Sequence, residues 1–164
     1  MARAYLSLGS NIEPERHLAA AIDALRDRFG AITVSPAYRF PAVGFDGPDF
    51  VNLAAAIDTD LDPHALNRWL HALEDRLGRR RDQPRYASRT LDVDIVLYDD
   101  DVVCGDGNLQ VPRDELRHAF VLRPLADIAP HARHPSNHAT IAQLWREHPD
   151  HGTGASIVEL SSGA

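Results

Sequence analysis

Ala4, Leu6 and Leu8 alternate with Tyr5 and Ser7, a period of two that predicts a strand ending at Gly9-Ser10-Asn11. Leu18, Ile22, Leu25 and Phe29 then recur at spacings of four, three and four, between Pro14 and Gly30. That is the apolar stripe of an amphipathic helix with an N-terminal proline and a glycine stop. Two further strands are predicted, Ile32 to Arg39 and Phe50 to Ile57, on either side of a Gly- and Pro-rich loop over 41–48. Asp62 and Pro63 open a second helix as N-cap and first-turn residue. Its inward positions are Leu66, Trp69, Leu70, Leu73 and Leu77, and Gly78 ends it.

An arginine-rich loop, 79–90, then leads into an apolar strand from Leu91 to Tyr98. Alternation sends Leu91, Val93, Ile95 and Leu97 into a core and leaves Asp92 and Asp94 together on the other face. Their Cα atoms lie roughly 6 to 7 Å apart along the strand. A hairpin follows, with Val102 to Cys104 and Leu109 to Val111 around the turn Gly105-Asp106-Gly107-Asn108. Short helices are expected at 112–119 and 140–147, and the Gly- and Ser-rich residues 149–164 are expected to be a loosely ordered tail. The order β-α-β-β-α-β predicts an α+β fold, a ferredoxin-like antiparallel sheet with helices packed on one face, as a single domain over 1–148.

Composition narrows the partners. At 164 residues with 44% apolar content, one domain with a proper core is expected. The formal charge of −7 disfavours nucleic acid as a partner, so an anionic ligand must meet a local basic cluster. A lone cysteine, Cys104, allows no internal disulfide, which fits a reducing compartment. The N-terminus is too interrupted for a signal peptide and no stretch reaches transmembrane length. A cytoplasmic monomer that handles small molecules and no membrane is expected.

The chemistry concentrates around the carboxylate strand. Aspartate is disfavoured in strands, and two on one face repel unless a cation or arginines compensate. Arg79, Arg81, Arg85 and Arg89 precede them, and arginine suits forked recognition of phosphate oxygens. Asp92 and Asp94 therefore suggest a Mg²⁺ and polyphosphate site, against the plainer alternative of a solvated strand face. Asn52, on an otherwise apolar strand, either satisfies local backbone or reads the edge of a heterocycle. Phe50 shares its face. His71 and Glu74, one turn apart, read as a solvated helix face from spacing alone. No Gly-rich phosphate loop is present.

Taken in order, Tyr5-Leu6-Ser7-Leu8-Gly9-Ser10-Asn11, Asp49-Phe50-Val51-Asn52, Arg89-Thr90-Leu91-Asp92-Val93-Asp94-Ile95 and Phe120-Val121-Leu122-Arg123-Pro124-Leu125 resemble the 6-hydroxymethyl-7,8-dihydropterin pyrophosphokinases. The resemblance runs over about residues 2–145. It implies an ATP-dependent diphosphotransferase of folate biosynthesis, with two Mg²⁺ ions and mobile loops closing over the substrates. It implies Asp92 and Asp94 as metal ligands, with Arg79 and Arg89 as catalytic partners and Arg81 on phosphate. Pro41, Val43, Phe50, Asn52 and Phe120 fall on the pterin side, and His71 and Glu74 on the adenosine side.

The chain departs from the family at several places, with His71 for a glutamine, Asp82 for a basic residue and Tyr86 for a loop tryptophan, and above all after Pro112. After Val111-Pro112 it reads Arg113-Asp114-Glu115-Leu116-Arg117-His118-Ala119-Phe120, one residue shorter than in some relatives. His118 stands where an arginine that grips the triphosphate is expected, leaving Arg113, Arg117 and His118 as the candidate ATP contacts. The alternative is a divergent, non-catalytic or weakly active pterin- or nucleotide-binding paralogue. A phosphodiesterase or nuclease built on Asp92 and Asp94 is a third reading, weakened by the negative charge.

Overall fold

The computed structural model describes residues 1–42, 44–79 and 88–160. Strand β1 (Ala2–Ser10) runs through the middle of an antiparallel sheet, with β4 (Phe50–Thr59) on one side and β5 (Asp92–Tyr98) on the other. Beyond β4 lie β2 (Thr33–Val34) and β3 (Ala37–Phe40). Helix α1 (Pro14–Phe29) links β1 to β2, and α2 (Pro63–Arg76) links β4 towards β5. A two-stranded hairpin, β6 (Val103–Gly105) with β7 (Leu109–Val111), follows. A 3₁₀ turn (Asp114–Arg117), α3 (Ala119–Ile128), α4 (Ile141–Arg146) and β8 (Ser156–Val158) complete the chain.

Helices α1 and α2 cover one face. Leu18, Ile22 and Leu25 from α1 and Leu66, Leu70 and Leu73 from α2 pack on Leu6, Leu8, Leu53, Ile57, Val93 and Ile95. Full burial of each leucine contributes about 1.5–3 kcal/mol. Asp62 caps α2 as predicted, accepting from the Ala65 amide at 2.8 Å. Contrary to the expectation of helices on a single face, α3 and α4 cover the other one. Val121, Leu122, Leu125, Ile141 and Trp145 there bury Ala54, Val96 and Leu97. Among the described residues no helix is long and apolar enough to cross a membrane.

Four expectations from the periodicity need correction, each for a physical reason. The second strand is interrupted, because Pro36 has no N–H to give to the ladder. Beside it the Ser35 hydroxyl serves the ladder in place of a carbonyl, accepting from the Ala54 amide at 2.8 Å, and donates to the Pro36 carbonyl at 2.8 Å. Register slips by one residue between Val34↔Ala55 and Tyr38↔Asn52, a bulge that turns Tyr38 and Phe40 to the α3 face. A second bulge on β5 leaves Val96 unpaired between Leu6↔Ile95 and Tyr5↔Leu97. Leu97 consequently faces α3 and not the α1–α2 core.

The short helix expected at 112–119 is only the 3₁₀ turn 114–117, and the true helix is α3, with Val121, Leu122 and Leu125 buried along one side. The stretch expected to be a loose tail contains β8, which pairs Ser156–Val158 with Ala37–Arg39 at the sheet edge. Residues 161–164 of that tail lie outside the described residues. Helix α4 agrees with its prediction, and Thr140 caps it by accepting from the Gln143 amide.

Candidate active site

Strand register assembles the site. Gly9 on β1 pairs with Asn52 on β4 and with Asp92 on β5, so three neighbouring strands place carboxylate, glycine and amide in one row. One step along, Ser7 pairs with Ala54 and with Asp94. Alternation sends this set to the α3 face, beyond the end of α3's own packing. There it lines a cleft of about 840 Å³ together with Phe40, Phe45, Phe50 and Phe120 and with Arg79, Arg89 and Arg113.

The aromatic end encloses Asn52. Phe45 meets Phe50 edge-on, ring centres 6.3 Å apart, and Phe120 lies across the cleft at the start of α3. Asn52 is buried, yet its Oδ1 takes no hydrogen bond among the described residues. Pro41 also lines the cleft; Val43 lies outside the described residues.

At the charged end, Glu74 is the surprise. Its side chain is only 2% exposed, and its carboxylate accepts from the Val93 amide at 2.8 Å and from Arg79 Nη1 at 2.9 Å. The same Nη1 reaches the Leu91 carbonyl and Asp92 Oδ1, both at 3.2 Å. Strand β5 is the outermost on this side, and the Glu74–Arg79 pair supplies partners for its open edge. The solvated helix face suggested by spacing is therefore a buried carboxylate. His71, one turn earlier, does line the cleft, and the β6–β7 turn packs against it.

Arg89 is fixed through its backbone. Asn11 accepts from the Arg89 amide at 2.7 Å while its own amide donates to the Arg89 carbonyl at 3.1 Å. The Asn11 Nδ2 donates to the Pro48 carbonyl and to Ser88 Oγ, so one side chain ties together both loops flanking the cleft. The Arg89 guanidinium stands 3.8 Å from Asp92 Oδ1. Arg81 lies outside the described residues.

Geometry separates the three candidate ATP contacts after Pro112. Arg113 points into the cleft, 3.7 Å from Asp94 Oδ1, held by Glu115 at 3.1 Å and by the Asn108 carbonyl at 2.8 Å. Arg117 is exposed at the rim, with Asp114 at 3.8 Å. His118 stacks on Phe120, ring centres 4.9 Å apart. Burial, and then the neighbouring Arg117 charge, hold its imidazole below the usual range and favour the neutral ring.

Asp94 is pushed well above the ordinary carboxylate range, by burial first and by the Asp92 charge second, with Arg113 only partly offsetting them. Hard oxygen donors under such mutual repulsion suit a divalent cation. Among the described residues no group of three or more acidic, His or Cys side chains forms a full cage. Mg²⁺ does not need one, since it keeps several waters and takes phosphate oxygens as ligands.

The model for 7,8-dihydro-6-hydroxymethylpterin-pyrophosphokinase matches residues 5–130. The chain belongs to that family. A Pseudomonas aeruginosa 2-amino-4-hydroxy-6-hydroxymethyldihydropteridine pyrophosphokinase is 43% identical over 143 residues, covering 81% of this chain and 84% of the relative. A Haemophilus influenzae protein of the same name is 35% identical over 156 residues, covering 92% and 96%. The Plasmodium falciparum HPPK-DHPS crystal structure superposes with a TM-score of 0.71 at 14% identity, over 88% of this chain and 44% of that one. That likeness speaks for the fold. The pyrophosphokinase comparisons hold nothing that favours a non-catalytic paralogue.

Sequence reasoning missed several residues that line the cleft. Phe45 carried a signal, a lone aromatic in a Gly- and Pro-rich loop. Phe40 and Gly9 carried none, because their places depend on a bulge and on cross-strand register.

Proposed function

We propose that the cleft holds both substrates of the pyrophosphokinase reaction, the pterin at the Asn52–Phe50–Phe120 end and the triphosphate of ATP at the Asp92–Asp94–Arg113 end. The chain is a pyrophosphokinase of folate biosynthesis and ATP is its co-substrate. The observation that carries the two-ended reading is the row Asp92–Gly9–Asn52, which fixes carboxylates and amide on one rigid face. In the reaction the pterin hydroxymethyl oxygen attacks the β-phosphorus of ATP, the Pα–O–Pβ bond breaks, AMP leaves and the hydroxyl proton passes to solvent.

Such transfer depends on positioning and charge stabilisation more than on a covalent protein group. Asp92 and Asp94 would hold Mg²⁺, which neutralises phosphate charge when bound. Arg79 orients Asp92, and Glu74 orients Arg79. Arg89 and Arg113 flank the carboxylates and bind phosphate oxygens; Arg113, beside Asp94, takes the part of the missing arginine, while His118 stacks on Phe120. Arg81 belongs to the same phosphate set. His71 lies on the adenosine side, and Pro41 and Val43 close the pterin side. Phe50 and Phe120 sandwich the ring while Asn52 reads its edge.

The antiparallel order β5-β1-β4-β3, with α1 and α2 on one face, supports the ferredoxin-like plan. We extend the pterin pyrophosphokinase domain past the expected 148 to take in β8, which pairs with β3, and propose that it acts as a monomer in the cytoplasm.

Arg113→Ala tests the division of labour. The KM for MgATP should rise at least tenfold with little change for the pterin, while Arg117→Ala stays within about twofold on both. Equal effects of the two variants would contradict the assignment of Arg113.

A further inference from the structure

Gly9 occupies the centre of the row, in the interior of a strand paired on both sides. Glycine weakens strands, and inside one it marks a place where something approaches the backbone closely. Its backbone makes no demand for glycine, since it is absent from the positive-φ positions Gly30, Gly44, Gly78 and Gly107. The demand is for space. A Cβ built on Gly9 would stand 2.6 Å from Asn52 Nδ2, 3.6 Å from its Cγ and 3.7 Å from Phe50 Cδ1. The amide of Asn52 thus lies directly over the Gly9 Cα.

We propose that Gly9 is a positioning residue for the pterin, whose missing side chain lets the Asn52 amide lie against β1 in the pose that reads the ring. This rests on the pterin-half reading given above. Two observations support it independently of the space. Asn52 is 6% exposed and its Oδ1 has no hydrogen-bond partner among the described residues, so a donor from a ligand is what the amide lacks. Neighbouring strands are about 4.8 Å apart, which sets Asn52 and Asp92 about 10 Å from each other across Gly9. A fused bicyclic ring with a one-carbon arm spans that interval, its polar edge at the amide and its hydroxyl at the carboxylates. A methyl group at Gly9 would displace the Asn52 amide.

The test is a double-mutant cycle on Gly9→Ala and Asn52→Ala. Affinity for 6-hydroxymethyl-7,8-dihydropterin is measured by calorimetry with a nonhydrolysable MgATP analogue present, and analogue affinity is measured separately. Gly9→Ala should weaken pterin binding at least tenfold and analogue binding less than twofold. In the Asn52→Ala background the same substitution should cost less than twofold. If Gly9→Ala alone fails to fold, the double variant should fold and bind as Asn52→Ala does. Unchanged pterin affinity, an equal loss of analogue affinity, an undiminished effect in the Asn52→Ala background or a double variant that also fails to fold would each overturn the role of Gly9. Unchanged pterin affinity in Asn52→Ala itself would overturn the pterin-half reading as well.

Discussion

Asp94 faces Asp92 two residues behind it, Glu115 beside it and the Arg113 guanidinium at 3.7 Å. Burial and those like charges favour its neutral form, so the folded chain binds a proton there more tightly than the unfolded one does. For a raised carboxyl, stability falls as pH climbs from the usual 3.8 through the folded value, and the loss persists at neutral pH. Asp94→Asn should therefore raise the melting temperature of the metal-free protein at pH 7–8 and abolish any further gain from added Mg²⁺. A lower melting temperature in thermal denaturation, with the Mg²⁺ gain intact, would show that Asp94 is neither strained nor a ligand. The pairing of Asp92 with Asp94 was legible from alternation alone. The partners that set their charge were not, because Arg113 and Glu115 return to β5 only after the β6–β7 hairpin. Spacing alone slightly favoured a backbone role for Asn52, and its unmet Oδ1 has no trace in the sequence pattern.

At the scale of elements, the outer edge of β5 depends on α2. The Glu74 carboxylate and Arg79 supply the hydrogen bonds that a further strand would have made to Val93 and Leu91. Removing one partner of a buried ion pair leaves the other uncompensated, at about 3–5 kcal/mol. Glu74→Ala should lose about that much stability in urea denaturation, and Glu74→Gln less, since its amide oxygen can still accept from Val93. A neutral effect of Glu74→Ala would mean that water replaces the carboxylate at the edge. The periodicity of α2 was clear, yet Glu74 read as a surface residue because its burial arises from an arginine beyond the helix end. The two bulges escaped for a related reason. Alternation along one strand carries no record of the extra residue at Val96, nor of the register slip that Ser35 and Pro36 introduce. Helix α3 was missed beside an overlong helix expected just before it, though its apolar side is plain once its start at Ala119 is known.

Across the whole molecule, the sheet serves as a plate with helices on both faces and a cleft at one end. Strand β8 adds to β3, whose far end carries Phe40 and Pro41 into that cleft. Val158 and Leu160 pack on the main core, so a chain ending at residue 148 should lose about 2–4 kcal/mol and bind the pterin more weakly. Unaltered stability and affinity would return the segment to the status of a tail. The central claim is that one rigid row of residues carries diphosphoryl transfer between two small molecules. It is tested most directly by single-turnover product analysis with ATP labelled in its β- and γ-phosphates. The wild-type chain should release one AMP per pterin consumed, with both labels on the pterin, and Asp92→Asn and Asp94→Asn should each slow that step by orders of magnitude while keeping the fold. Label appearing in ADP or inorganic phosphate, or an undiminished rate in both variants, would contradict it.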